Sequence, residues 1–142
     1  MLVAYLCGRR PAATSHNVLL VGAVLREIVV DCINPHRVAD FWSAVLEWDV
    51  HEDADVLWMS ETGEPFPGLF LVFVQVPENK TAKNRLHLDV SLVGCTRDEE
   101  VDRLTTLGAM RVDIGQGEQG WVVLADPEGN EFCVLGRSAD AS

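Results

Sequence analysis

The sequence predicts an α+β fold made of two βαβββ modules related by a pseudo-twofold axis. Three observations carry this. The chain repeats itself at a spacing of sixty residues, with LREIVVDC and NPHRVADFWSAVLEWDV in the first copy and RLHLDVSL and TRDEEVDRLTTLGAMRV in the second. Each copy holds one helix with its own start signal, followed by short runs of strand character. The composition, 48% apolar and 23% charged over 142 residues, suits an ordinary globular domain with a real core and excludes disordered or fibrous order.

The first strand is expected over 25–32. Asn34 then serves as N-cap and Pro35 takes the first helical position, where a missing N–H costs nothing. Val38, Phe41, Trp42 and Val45 follow at i, i+3, i+4 and i+7, one apolar stripe that should pack on the sheet. Strands are expected over 48–52, 55–60 and 69–76, with Gly63, Pro65 and Pro67 in the connecting hairpin. Residues 77–84 (PENKTAKN) form a polar linker. In the second copy a strand over 85–92 leads to a capping box, Thr96 with Glu99, and the helix stops at Gly108. Its stripe is thinner: Val101, Leu104 and Leu107. Strands over 110–114, 121–125 and 130–135 complete the copy, the last two joined by the turn Asp126-Pro127-Glu128-Gly129. The modules therefore span 24–76 and 85–137, with 1–23 as a flexible extension and 138–142 as a tail.

Charge narrows the function classes. Lys plus Arg number 11 against 22 Asp plus Glu, a net charge of −11, which repels phosphate backbones and excludes nucleic acid as the expected partner. The longest apolar run, Val18–Leu25, ends at Arg26 and is too short to span a membrane. Cys7, Cys32, Cys95 and Cys133 share no CxxC spacing, so reduced thiols and a cytoplasmic location are expected. The acidic stretch from Glu47 to Glu64 reads as a solvated hairpin face. The run GQGEQG at 115–120 matches GxGxxG, but a strand follows it where a dinucleotide site needs a helix, so it reads as a loop.

The segments ADFWSAVLEW, NRLHLDV and DPEGNEFCVL, in this order and at these spacings, resemble the vicinal oxygen chelate superfamily, also called glyoxalase/bleomycin resistance/dioxygenase. The stretch VPENKTAKNRLHLDV is similar to its glyoxalase-like domain branch. The resemblance covers about 24–136. It implies paired βαβββ modules whose sheets form an open curved surface around a cleft, with the helices outside.

Strand alternation tells which side chains face that cleft. Glu27, Val29 and Asp31 do so on the first strand, His87, Asp89 and Ser91 on the fifth, and Glu131, Cys133 and Leu135 on the last. On the fourth, either Phe73 and Gln75 or Val72 and Val74 face inward. The resemblance implies metal ligands on the first, fourth, fifth and eighth strands. Those places fall on Glu27, Gln75, His87 and Cys133, the last replacing the family's glutamate. A divalent ion (zinc, nickel, iron or manganese) is the implied cofactor. His87 reads either as a ligand or as a residue hydrogen-bonded to Asp89 or Glu27, and Cys133 either as a thiolate ligand or as a small buried hydrophobe. Glu131, one pleat away, could serve a displaced site. Trp58, Asp89, Trp121, Glu131 and Cys133 are the candidate ligand-binding residues. A dioxygenase needs two histidines and a carboxylate, and glyoxalase I needs the missing glutamate, so both activities are disfavoured. Two functions are expected on this basis. One is a lyase or isomerase acting on a small oxygenated metabolite through a degraded metal site. The other is a metal-free protein that sequesters a drug or antibiotic, in the manner of bleomycin-resistance relatives. In either case the expected partners are a small molecule and a second copy of the chain.

Overall fold

The computed structural model describes residues 23–63, 68–117 and 119–138. Residues 1–22 of the expected extension over 1–23, residues 139–142 of the expected tail over 138–142, the turn residues Pro65 and Pro67, and Cys7 lie outside the described residues. The first module runs β1 (Glu27–Cys32), α1 (Pro35–Leu46), β2 (Val50–Asp53), β3 (Val56–Ser60) and β4 (Phe70–Gln75). The second runs β5 (Leu88–Leu92), α2 (Arg97–Thr106), β6 (Met110–Arg111), β7 (Trp121–Ala125) and β8 (Glu131–Ser138). The sheets have orders β1-β4-β3-β2 and β5-β8-β7-β6. In each, the first strand pairs in parallel with the last and the remaining pairs are antiparallel. Same order and same directions make the pseudo-twofold. Neither sheet closes, and β1 and β5 are edge strands.

Two elements, β5 and β6, are shortened most against the sequence, and local polar bonds explain both. β5 begins at Leu88 because the chain before it is drawn aside: the Asn84 N–H donates to Glu131 at 3.0 Å. β6 spans only two residues. Beyond it the Ile114 N–H goes to Gln116 Oε1 and the Gly115 N–H to Asp113 Oδ1, both at 2.8 Å. Side chains there satisfy the backbone in place of a ladder.

One core serves both modules. Val38, Phe41 and Trp42 of α1, Val101 and Leu104 of α2, Leu57 and Met59 of β3, Leu71 and Phe73 of β4, and Phe132 and Val134 of β8 are buried together. Phe132 of the second module touches both aromatic rings of α1, with centroids 5.9 Å from Phe41 and 5.1 Å from Trp42. The capping box at Thr96 and Glu99 forms as expected. The acids over 47–61 are exposed, as a solvated face should be.

Helix α1 carries no acidic residue in its first turn and no basic residue in its last. The second module supplies both. Glu128 accepts from the Ile33 and Asn34 N–H groups, each at 2.7 Å, placing an anion at the positive end of the helix dipole. Arg103 of α2 donates to the Ala44 and Val45 carbonyls at 3.0 and 3.4 Å, placing a cation at the negative end. Between them Trp42 Nε1 donates to Asp126 Oδ2 at 3.3 Å. Asp126 is fully buried, and it also accepts from the Glu128 and Asn130 N–H groups and from Asn130 Nδ2, all at 2.9 Å. A buried carboxylate so surrounded is satisfied without a counter-ion.

Glu128→Ala should therefore destabilise the chain by about 1–2 kcal/mol in urea unfolding, the range of a lost helix cap. Amide exchange should quicken first around residues 33–37. An unchanged unfolding midpoint would mean that the carboxylate is solvated rather than capping.

Candidate functional site

The register settles which face of each sheet the core covers. In β1 and β4 the pairs Ile28–Leu71, Val30–Phe73 and Cys32–Gln75 share one face, and Glu27–Phe70, Val29–Val72 and Asp31–Val74 the other. Leu71 and Phe73 belong to the core, so Val72 and Val74 face the cleft. Gln75 lies on the helix side, where its Nε2 donates to the Ile33 carbonyl at 3.2 Å. In the second sheet Asp89 pairs with Cys133, Cys133 with Val123, and Trp121 with Leu135. His87, Asp89, Trp121, Cys133 and Leu135 together line an open cavity of about 720 Å³ that ends at Gly120 and Gly136. A Cβ at Gly136 would collide with the Gly120 carbonyl, so glycine is required where these strands approach. Trp121 is 40% exposed, an indole face open to a ligand.

Three of the five predicted ligand-binding residues, Asp89, Trp121 and Cys133, thus share this cavity. Trp58 lies on the other sheet, stacked on His51 with centroids 4.4 Å apart and edge-on to Phe70. Glu131 lines a second cavity of about 400 Å³, between the β1 edge and the approach to β5, floored by Trp42 and Asp126.

The residues that shape the site most were absent from the sequence reading. The chain has two lysines, Lys80 and Lys83, and both turn from the β4–β5 connection onto the predicted site. Lys80 pairs with Glu131 at 2.9 Å, the carboxylate being 9% exposed. Burial pushes the Glu131 carboxyl up, but the Asn84 N–H and the Lys80 ammonium outweigh it and hold it below the usual carboxylate range. Lys83 Nζ lies 2.7 Å from His87 Nε2 and 3.3 Å from the Asn84 carbonyl. His87 Nε2 also lies 3.0 Å from the Asn84 carbonyl, so ammonium, ring nitrogen and carbonyl oxygen meet in one polar cluster. The signal was available: every other cation in the chain is arginine.

These side chains do not fit the divalent ion that the resemblance implies. Gln75 is on the wrong face. His87 is held neither by Asp89 nor by Glu27, and its Nε2 already faces a cation. Burial, then the hydrogen bond and charge of Asp89, push the Cys133 thiol up to about 11, with Lys83 pulling weakly the other way. It is a neutral thiol at pH 7, a poor ligand. Among the described residues no three His, Cys, Asp or Glu side chains converge to hold an ion. Cys32, Cys95 and Cys133 are free, and burial, with the Glu128, Asp126 and Asp31 carboxylates, raises Cys32 to about 12.

The raised Cys133 value has a consequence for stability. An unfolded thiol ionises near 9.0 and the folded one near 11. The neutral thiol's contribution is complete below pH 9 and is lost as pH rises toward 11. Melting temperature should therefore fall less steeply across that window in Cys133→Ala than in the wild type; parallel declines would contradict the burial of this thiol.

Similarity to known proteins agrees with this architecture. No curated protein matches the chain in sequence. Solved structures do match in fold. Fosfomycin resistance protein FosX from Mesorhizobium loti aligns with a TM-score of 0.60 at 10% identity, covering 84% of this chain and 96% of that one. FosX from Listeria monocytogenes, in a variant complexed with Mn(II) and a dihydroxypropylphosphonic acid, aligns at 0.58 and 11% identity, covering 85% and 94%. A glyoxalase/bleomycin resistance protein/dioxygenase family enzyme from Burkholderia phytofirmans aligns at 0.54 and 17% identity, covering 79% and 97%. At these identities the likeness is one of fold. Among the described residues no helix is long and apolar enough to cross a membrane. The model of the glyoxalase-like domain matches residues 27–135, the span of both modules, and the chain belongs to that family.

Proposed function

We propose that this chain binds a small oxygenated organic molecule on the concave face of its second sheet, without a tightly held metal ion. The observation that carries the reading is the cavity lined by His87, Asp89, Trp121, Cys133 and Leu135. It joins an open indole face and an apolar side chain to a few convergent polar groups, the make-up of a small-molecule site. The charge placement supports metal independence: where a divalent ion would sit, Glu131 and His87 already face the Lys80 and Lys83 ammonium groups. Sequestration of a drug or antibiotic, the bleomycin-resistance role, is one form this binding can take. A homodimer in the cytoplasm is the setting we propose for it, and light scattering giving twice the chain mass would bear out the dimer.

Binding of planar aromatic oxygenated compounds to chelator-treated protein, followed by tryptophan quenching, tests the reading. We expect saturable quenching, unchanged by added Mn(II) and weakened at least tenfold in Trp121→Ala, since a stacked aromatic contact with its burial is worth about 1–2 kcal/mol. Binding that appears only with Mn(II) would overturn it.

A second reading, a metal-dependent lyase or isomerase, draws on the equivalent places of Glu27 and His87, sixty residues apart in sequence, the first opening β1 and the second standing just before β5. Cys133→Glu separates the two. In our reading the new carboxylate stands beside Asp89 with only the weak pull of Lys83 to offset its charge, so the variant melts lower and titration calorimetry with nickel shows no binding. Tenfold tighter nickel binding by the variant would favour the metal enzyme.

A further inference from the structure

We propose that Lys83 does the electrostatic work of the absent metal ligand set and selects ligands carrying a single oxyanion, a carboxylate or its like. This rests on reading the cleft as a metal-independent binding site and names the class of molecule it takes.

An ammonium has three N–H donors. Lys83 directs one to His87 Nε2 and one to the Asn84 carbonyl. His87 Nε2 and the Asn84 carbonyl also lie 3.0 Å apart. The three groups thus meet around the ammonium nitrogen. The third N–H has no acceptor among the described residues, and no carboxylate pairs with this lysine. Lys83 is thus a cation without an ion pair among the described residues of a chain of charge −11. It is linked to the cavity through His87, which lines it, and its charge acts on Cys133, another lining residue.

The lysine therefore offers a positive charge and one free donor at the cavity rim, what an oxygen anion requires. Asp89 sets the limit. It lies two residues along from His87 and lines the same cavity, and its charge disfavours a second anionic group on the ligand. An apolar or aromatic body would lie against Trp121 and Leu135.

Titration calorimetry of the full chain in chelator, with 2-naphthoate and its uncharged amide as probes, tests this. The wild type should bind the carboxylate at least tenfold tighter than the amide. Lys83→Met should abolish that preference and leave amide binding unchanged; its side chain is exposed, and circular dichroism melting verifies the fold. Trp121→Ala should weaken both probes together. A carboxylate preference that survives in Lys83→Met overturns the inference, as does equal or absent binding of the two probes by the wild type. If Trp121→Ala leaves both probes untouched while Lys83→Met has no effect, the cleft reading falls as well; if only Lys83→Met is silent, the cleft reading stands and the lysine's role does not.

Discussion

Helix α1 is tied at both of its ends, and at its middle, to the second module. Its own sequence leaves both ends of its dipole uncompensated, and three side chains from beyond residue 100 correct this. Glu128 covers the N-terminus, Arg103 the C-terminus, and Asp126 holds the indole in the middle. The grip is local in the second module: Asp126 and Glu128 share one turn, and Asp126 ties that turn together through Asn130. It follows that the edge strands β1 and β5, and with them the two halves of the cleft, are positioned by α1 and the turn at 126–130. No ladder between β1 and β5 is needed to align them.

The same turn leads directly into β8, and so into the site. Glu131 is the first residue of that strand and Cys133 the third. With the turn fixed by four bonds to Asp126, the two side chains have little freedom, and the β4–β5 connection closes on them through Lys80 and the Asn84 N–H. The connection thereby exchanges one kind of polar lining for another. A cleft face that reads as acidic in sequence is locally neutralised, and an ammonium stands beside His87.

Much of the fold was legible because it rests on short-range chemistry. Asn34 with Pro35, and Thr96 with Glu99, announce their helices, and the stripe Val38, Phe41, Trp42 names the buried face. The cleft face of β1, β5 and β8 followed from period-two alternation. β4 resisted because Phe70–Val74 is apolar on both faces and gives no alternation; only pairing with β1 fixes its register and sends Gln75 to the helix side. The ends of β5 and β6 depend on side chains capturing nearby backbone donors, which strand propensity does not register. The grip on α1 is non-local: nothing around Asp126 or Glu128 shows that the bonded groups lie 84 to 95 residues earlier. The lysines were the most consequential omission. A polar connection has no periodicity, and where a long flexible side chain ends depends on the partners the fold brings to it.

The account's central claim is that ammonium groups, rather than a divalent ion, supply the positive charge in this cleft. Electron paramagnetic resonance of Mn(II) added to the chelator-stripped full chain tests it most directly, because aqueous Mn(II) gives a sharp six-line signal that broadens and fades when the ion is bound. The account predicts that the signal is undiminished by equimolar protein; its loss at one ion per chain would contradict it.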